Sequence, residues 1–384
     1  MPLLTKSLSR QPDSQRYAKL IEHYWQQKEF RDLLTTAGQL AEMSGSLDTI
    51  EDLVKRLKKD EGLIKGCVVL AKELATKTDP KPNHGPILAA ALLAREAGQL
   101  KDAGELFQAV LALNPPNATE LRTQWALGLY LNEHAAPAAE MFRQVLDQQP
   151  KNRSAIRYYL AGALAMAGET NEALKEIAAA MDANPNNPRF ESRRAWVRYQ
   201  AKQYPEAAAE YEALLKKYND RQQSEVRDIL RSSRLALSNI AMEQGDFAQG
   251  VEWLEQVLDE YPEDAGALND LGYLWADKGV HLQRALRMTQ KAVELEPKSH
   301  AYRDSLGWAY YRVGRYDDAV RELTIATTDN EDASDGVLLD HLGDALNKQG
   351  KREEALKAWQ RAAEAFEKAG EEKKMKVVRE KLKS

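Results

Sequence analysis

The chain is poor in the residues that most site chemistry requires. Its 384 residues hold a single cysteine, Cys67. One thiol cannot close an internal disulfide, so cysteine usage leaves the redox compartment open. Cys67 lies in the apolar stretch from Leu63 to Leu70, which assigns it to packing. The six histidines are His23, His84, His134, His281, His300 and His341. None stands at i, i+3 or i+4 from another, and none pairs with Cys67 at a zinc-like spacing. No glycine-rich phosphate loop is present, since the glycines are scattered. The acidic pairs Asp317-Asp318 and Glu353-Glu354 stand where helices begin and there favour the helix dipole. The sequence therefore presents no catalytic constellation, and neither a metal nor another cofactor is expected. No apolar run is long enough to span a bilayer, and no signal-peptide pattern is visible. A formal net charge of −5 weighs against a general nucleic-acid binder.

What is present is helix-forming and periodic. Hydrophobic residues make up 43% and charged residues 29%, a balance too apolar for disorder. Ala, Leu, Glu, Lys and Arg dominate. The pairs Leu271-Gly272, Leu306-Gly307 and Leu342-Gly343 recur about every 35 residues, the mark of stacked helical hairpins. In the clearest unit, Leu306, Gly307 and Tyr310 share one helical face. Gly314 ends that helix, and Tyr316, Ala319, Leu323 and Ala326 continue on one face of a second. Gly307 and Ala319 are expected to face each other so that the helices approach closely. The template repeats with Leu342, Gly343, Leu346 and Trp359 downstream. Upstream it repeats with Leu271, Gly272 and Trp275; with Leu237, Ala241 and Leu254; with Leu160, Ala161 and Ile177; with Trp125, Ala126 and Phe142; and with Ala90, Ala91 and Phe107. A proline commonly separates one hairpin from the next.

These offsets resemble the tetratricopeptide repeat over roughly residues 84 to 365. The resemblance implies an all-α, right-handed superhelical solenoid of antiparallel helix hairpins. The expected organisation is two degenerate N-terminal repeats over 1–79 and a first part of the array over 84–218. A charged insertion or extended helix follows over 219–231, then a second part over 232–368 and a charged capping helix over 369–384. The unit near 188 to 218 is weaker, with Arg194 and Lys202 where Leu and Gly are usual. Lys77 to Pro86 reads as a linker, and bends are expected there and at 219–231. Leu4, Ser7 and Pro12 match the offsets of Phe142, Val145 and Pro150. The chain is thus expected to begin inside a repeat, with natural sequence upstream.

In such arrays the first helices line a concave groove. By resemblance, the inward residues are the second, fifth, sixth, ninth, twelfth and thirteenth of each unit. They include Tyr158, Tyr159, Arg189, Arg193, Trp196 and Tyr199 in the middle units. The later units supply Asn239, Tyr273, Trp308 and Tyr311, with the polar residues Asp270, Asp304, Asp340, His341 and Asp344. Aromatic and arginine side chains are the usual anchors of protein contacts. The fifth positions, Thr123, Tyr158, Ser192, Leu235, Asn269, Asp304 and Asp340, do not reproduce the clamp that holds chaperone C-terminal carboxylates. The implied function is a non-enzymatic scaffold or adaptor holding a protein or peptide partner. The words LNDLGYLWADKGVHLQRAL and SLGWAYYRVGRYDDAV resemble the closing repeats of bacterial envelope proteins of this family. A periplasmic or envelope location is expected if the full-length protein carries an N-terminal signal, and a cytoplasmic one otherwise. The alternatives are a targeting or regulatory segment of a larger enzyme and, ranked lower, a helical-repeat nucleic-acid binder. Self-association through repeat ends is a further expectation.

Overall fold

The computed structural model describes residues 14–44, 47, 50–77, 83–328 and 335–383. Helices are the only regular elements among them besides single turns, and they divide into two compact units, residues 1–207 and 208–384. The N-terminal offsets at Leu4, Ser7 and Pro12, and the prolines at 80 and 82, lie outside the described residues.

The first unit opens with α1 (Ser14–Gln27), α2 (Phe30–Ser44), α3 (Glu51–Leu57) and α4 (Glu61–Ala75). Leu20, Ile21, Leu33, Leu53, Leu57 and Ile64 are buried there. Regular hairpins follow: α5 (His84–Glu96) with α6 (Leu100–Ala112), α7 (Ala118–Leu131) with α8 (Ala135–Asp147), and α9 (Arg153–Met166) with α10 (Thr170–Ala183). Helix α11 (Pro188–Gln200) comes next, and the division falls within α12 (Tyr204–Tyr218). Pro86 stands in the first turn of α5, where a missing N–H costs no helical hydrogen bond, so it is helix and not linker. Here α2 and α5 approach closely. A Cβ on Gly38 would lie 2.3 Å from the carbonyl carbon of Gly85.

The second unit continues with α13 (Ser224–Glu243) and α14 (Phe247–Glu260), α15 (Ala265–Lys278) and α16 (Leu282–Leu295), α17 (His300–Arg312) and α18 (Tyr316–Thr328), then α19 (Gly336–Lys348) and α20 (Arg352–Lys368). It ends with α21 (Glu372–Lys381), whose Val378 is buried, with Met375 and Leu382 packed on the same core. Residues 224–231 form the first turns of the long α13. There Arg227 bonds Glu260 at 2.7 Å and Arg231 pairs with Asp264, which also caps α15 through Ala267 N–H.

The small residues open space for large neighbours one helix away. The three atoms nearest a Cβ on Gly307 all belong to Leu323, the closest at 2.5 Å, so Leu323 fills the space that Gly307 leaves. Trp359 fills the corresponding space beside Gly343. Between paired helices the chain reverses through a left-handed residue. Gly314 has φ 81°; its N–H donates to Tyr311 O and the next N–H to Tyr310 O. Lys202 takes the same turn at φ 58°, donating to Tyr199 O while Gln203 N–H donates to Arg198 O. The hairpin contacts outweigh the steric cost of a side chain in that conformation.

Candidate functional site

In the first unit the inward positions gather around one guanidinium. Arg193, on α11, lies over the Tyr158 ring at 4.1 Å and the Trp196 ring at 4.8 Å. Its Nη1 donates to Tyr130 Oη at 3.0 Å, and its buried Nε has no hydrogen-bond partner among the described residues. Cation–π contacts of this kind hold an arginine rigid while its charge stays unneutralised. Tyr159 stands edge-on to Tyr130 and Tyr158 and stacks on Phe142. Arg189 lies 5.2 Å over the other side of the cluster, at Tyr158, and is exposed. Gly162 makes the cluster possible. A Cβ there would meet Tyr130 Oη at 2.7 Å and Arg193 Nη1 at 3.1 Å.

Five of the six middle residues singled out from the sequence therefore meet in one patch. Tyr199 instead packs on Tyr204, 5.9 Å between ring centres. Tyr130 was missed, although it occupies the twelfth position of its unit and the positional rule reaches it. Leu131, at the thirteenth position, is 75% exposed and adds an apolar edge.

In the second unit an aromatic stack runs from Tyr311 to Trp308 to His341, with ring centres 4.8 and 4.2 Å apart. The Tyr273 ring stands 6.4 Å from His341. His341 Nδ1 bonds Asp304 Oδ1 at 2.8 Å. Burial opposes charge on His341, but the Asp304 carboxylate and its hydrogen bond, with Asp340 and Asp344 beyond, outweigh it and raise the imidazole pKa. Asp344 accepts from Trp359 Nε1, and both Asp340 and Asp344 accept from Lys381 of α21. Burial would discharge that lysine, yet the two carboxylates raise its pKa and hold it charged. Sequence reasoning missed Lys381, because nothing in the apolar stripe of α21 points one lysine into the stack.

Tyr273, Asp304, Trp308, Tyr311, His341 and Asp344 thus form one continuous surface. Asn239 is exposed on α13 and belongs to neither cluster. Beside this surface lies a cleft of about 650 Å³ lined by Asn269, Asp270, Tyr273, His300, Asp304 and Asp335, among others. Burial pushes Asp270 above the usual carboxylate range and the Tyr273 phenol up to about 12. Among the described residues, no group of three or more His, Cys, Asp and Glu is placed to hold a metal ion. No described helix is long and apolar enough to cross a membrane. Both clusters offer aromatic faces and fixed charges, side-chain types that commonly anchor contacts between proteins.

Tetratricopeptide-repeat sequence profiles match residues 129–197 in the first unit and residues 235–281 and 305–372 in the second. A TPR repeat-containing protein of Pseudomonas aeruginosa is 40% identical over 86 residues, which is 22% of this chain and 15% of that protein's length. Yeast Tom70 aligns over 99% of this chain and 91% of its own, with a TM-score of 0.52 at 14% identity. A tetratricopeptide repeat protein from Parabacteroides merdae aligns over 68% of this chain and 98% of its own, with a TM-score of 0.49 at 14% identity. At such identities the structural likeness is one of fold alone. The periodic sequence, the stacked hairpins and the matched segments together identify tetratricopeptide repeats in this chain, over residues 129–197, 235–281 and 305–372.

Proposed function

We propose that the chain is a non-enzymatic adaptor that holds a segment of another protein on the inward faces of its first helices. The observation that carries this reading is the Arg193 cluster. An arginine is held between Tyr158 and Trp196, with a buried Nε that no group among the described residues satisfies. A partner's carboxylate or carbonyl set against this preordered arginine and the exposed Arg189 would gain a charge-assisted hydrogen bond with little further ordering of side chains. The test changes Arg193, Trp196, Tyr199 and Trp308 together to Ala. Partner capture by crosslinking is then compared with wild type, after circular dichroism shows that the helices persist. Loss of capture supports the groove; undiminished capture overturns it. If the quadruple variant unfolds, Arg193→Glu alone replaces it with the same two outcomes.

The finer reading is a role in assembly at the bacterial envelope. Its support is the resemblance of the closing repeats to bacterial envelope proteins; the identity shared with a Pseudomonas aeruginosa protein supports only the bacterial part of this reading. Fractionation of cells expressing the full-length gene product tests it. Recovery with the envelope is expected, and recovery wholly with the cytosol refutes it.

A further inference from the structure

The cleft between α15 and α17 carries a charge that none of the described residues lining it answers. Three of its lining residues, Asp270, Asp304 and Asp335, are acidic, and no lysine or arginine lines it. The carboxylates along this surface differ in what they touch. Asp304 is bonded to His341, and Asp340 and Asp344 to Lys381. Asp335 caps α19 through the N–H groups of Val337 and Leu338. Among the described residues Asp270 accepts only the Asn269 amide N–H, at 3.1 Å. A second observation is independent of the charge. Asn269 is buried, 8% exposed, and its Oδ1 has no hydrogen-bond partner among the described residues although it lines the cleft. An orphaned acceptor beside an unanswered carboxylate asks for a donor that is also positive. The carboxylates are not gathered tightly enough for a metal ion. The Tyr273 ring supplies the aromatic face that a cation favours.

The chain shows the same recognition two repeats further on, between α19 and α21. Lys381 sits with its ammonium 2.7 Å from Asp340 and 2.7 Å from Asp344, and 5.9 Å from the centre of the Trp359 ring. There α21 provides the basic side chain; among the described residues no lysine or arginine lines the α15–α17 cleft. We propose that this cleft receives a lysine or arginine side chain of the partner segment, held by Asp270 and Asn269 Oδ1 against Tyr273. The proposal rests on the groove-binding reading above and names the chemistry of its occupant.

A fluorescein-labelled glycine–arginine repeat peptide serves as the probe, with its citrulline counterpart as an uncharged control of similar shape. Anisotropy titrations at about 0.15 M salt suppress long-range attraction to a net-negative protein. The arginine peptide is expected to bind and the citrulline peptide to bind at least about tenfold more weakly, the scale of one charge-assisted hydrogen bond. Asp270→Asn should weaken arginine binding by a similar factor, and Asn269→Asp, which adds a charged acceptor, should tighten it. Asp259→Asn removes the same charge from an exposed site on α14 and should change nothing. Equal losses in the Asp270 and Asp259 variants would reduce the effect to net charge and overturn the proposal. So would binding unaffected by either Asp270→Asn or Asn269→Asp. Failure here with groove variants still losing the crosslinked partner leaves the adaptor reading standing. Failure of the groove variants removes that reading by itself.

Discussion

Replacing Lys381 with Met tests how the last helix is tied to the acidic face of α19. The native ammonium lies 2.7 Å from Asp340 Oδ1, and 2.7 and 2.8 Å from the two oxygens of Asp344. The three side chains are 25%, 20% and 17% exposed. The cluster therefore falls between an exposed pair, worth about 0–1 kcal/mol, and a wholly buried one, whose breakage costs about 3–5 kcal/mol. Methionine keeps much of the apolar stem and removes the charge, so a cost of about 2 kcal/mol follows. Repeat arrays open piecewise, so the readout is amide hydrogen exchange along α19 and α21. At about 1.4 kcal/mol per decade, exchange there should rise roughly thirtyfold. The pH dependence has a definite sign. Burial holds Asp340 above its usual pKa even beside the ammonium. A carboxyl raised in the folded state favours the fold when protonated, and that contribution is lost as pH rises from the free value of 3.8 through the raised one. Without Lys381 the upward shift grows, so the deficit should be largest at neutral pH and shrink on acidification. Lys381→Arg should recover much of the protection. Exchange within about twofold of wild type, or a deficit that grows with acid, would refute the reasoning.

Gly38→Ala should destabilise the first unit. Its Cβ would lie 2.3 and 2.6 Å from the carbonyl carbon and oxygen of Gly85 and 2.7 Å from Pro86 N, backbone atoms that cannot swing aside. Overpacking of about 3 kcal/mol less about 1 kcal/mol of helix propensity leaves about 2 kcal/mol, measurable by urea titration. Lys202→Gly relieves a left-handed side chain at φ 58° and should stabilise by about 1 kcal/mol in the same titration. Cys67 is buried, and burial pushes its thiol from 9.0 up to about 12, so thiol reagents should label it only after unfolding. By the same linkage, its contribution to stability should decline as pH rises from 9.0 toward about 12.

The repeat period and the residues that fill it were legible because packing imposes them. Each hairpin must bury one face, so Leu306, Gly307 and Leu323 recur at fixed offsets whatever the function. Lys202 shows the limit of that legibility. Its identity weakens the match, while its backbone keeps the turn that glycine usually makes. The inward positions were legible as places along a helix, and at the Arg193 patch and the Trp308 stack residues from neighbouring units meet. Their chemistry was less so. Whether Asp344 is free or answered depends on Lys381, which reaches it from a helix that the repeat rule does not describe. Asn269 carries no distinction in sequence; only its burial and unpaired oxygen mark it.

Photocrosslinking from single positions tests the central claim most directly. A benzophenone side chain is placed in turn at Arg189, Asn239 and Tyr273 on first helices, and at the exposed Glu140 and Arg287 on second helices. Crosslinks to another polypeptide from the first-helix positions, absent from the second-helix ones, are the predicted result. Crosslinks from Glu140 and Arg287 with none from the first helices would contradict the account.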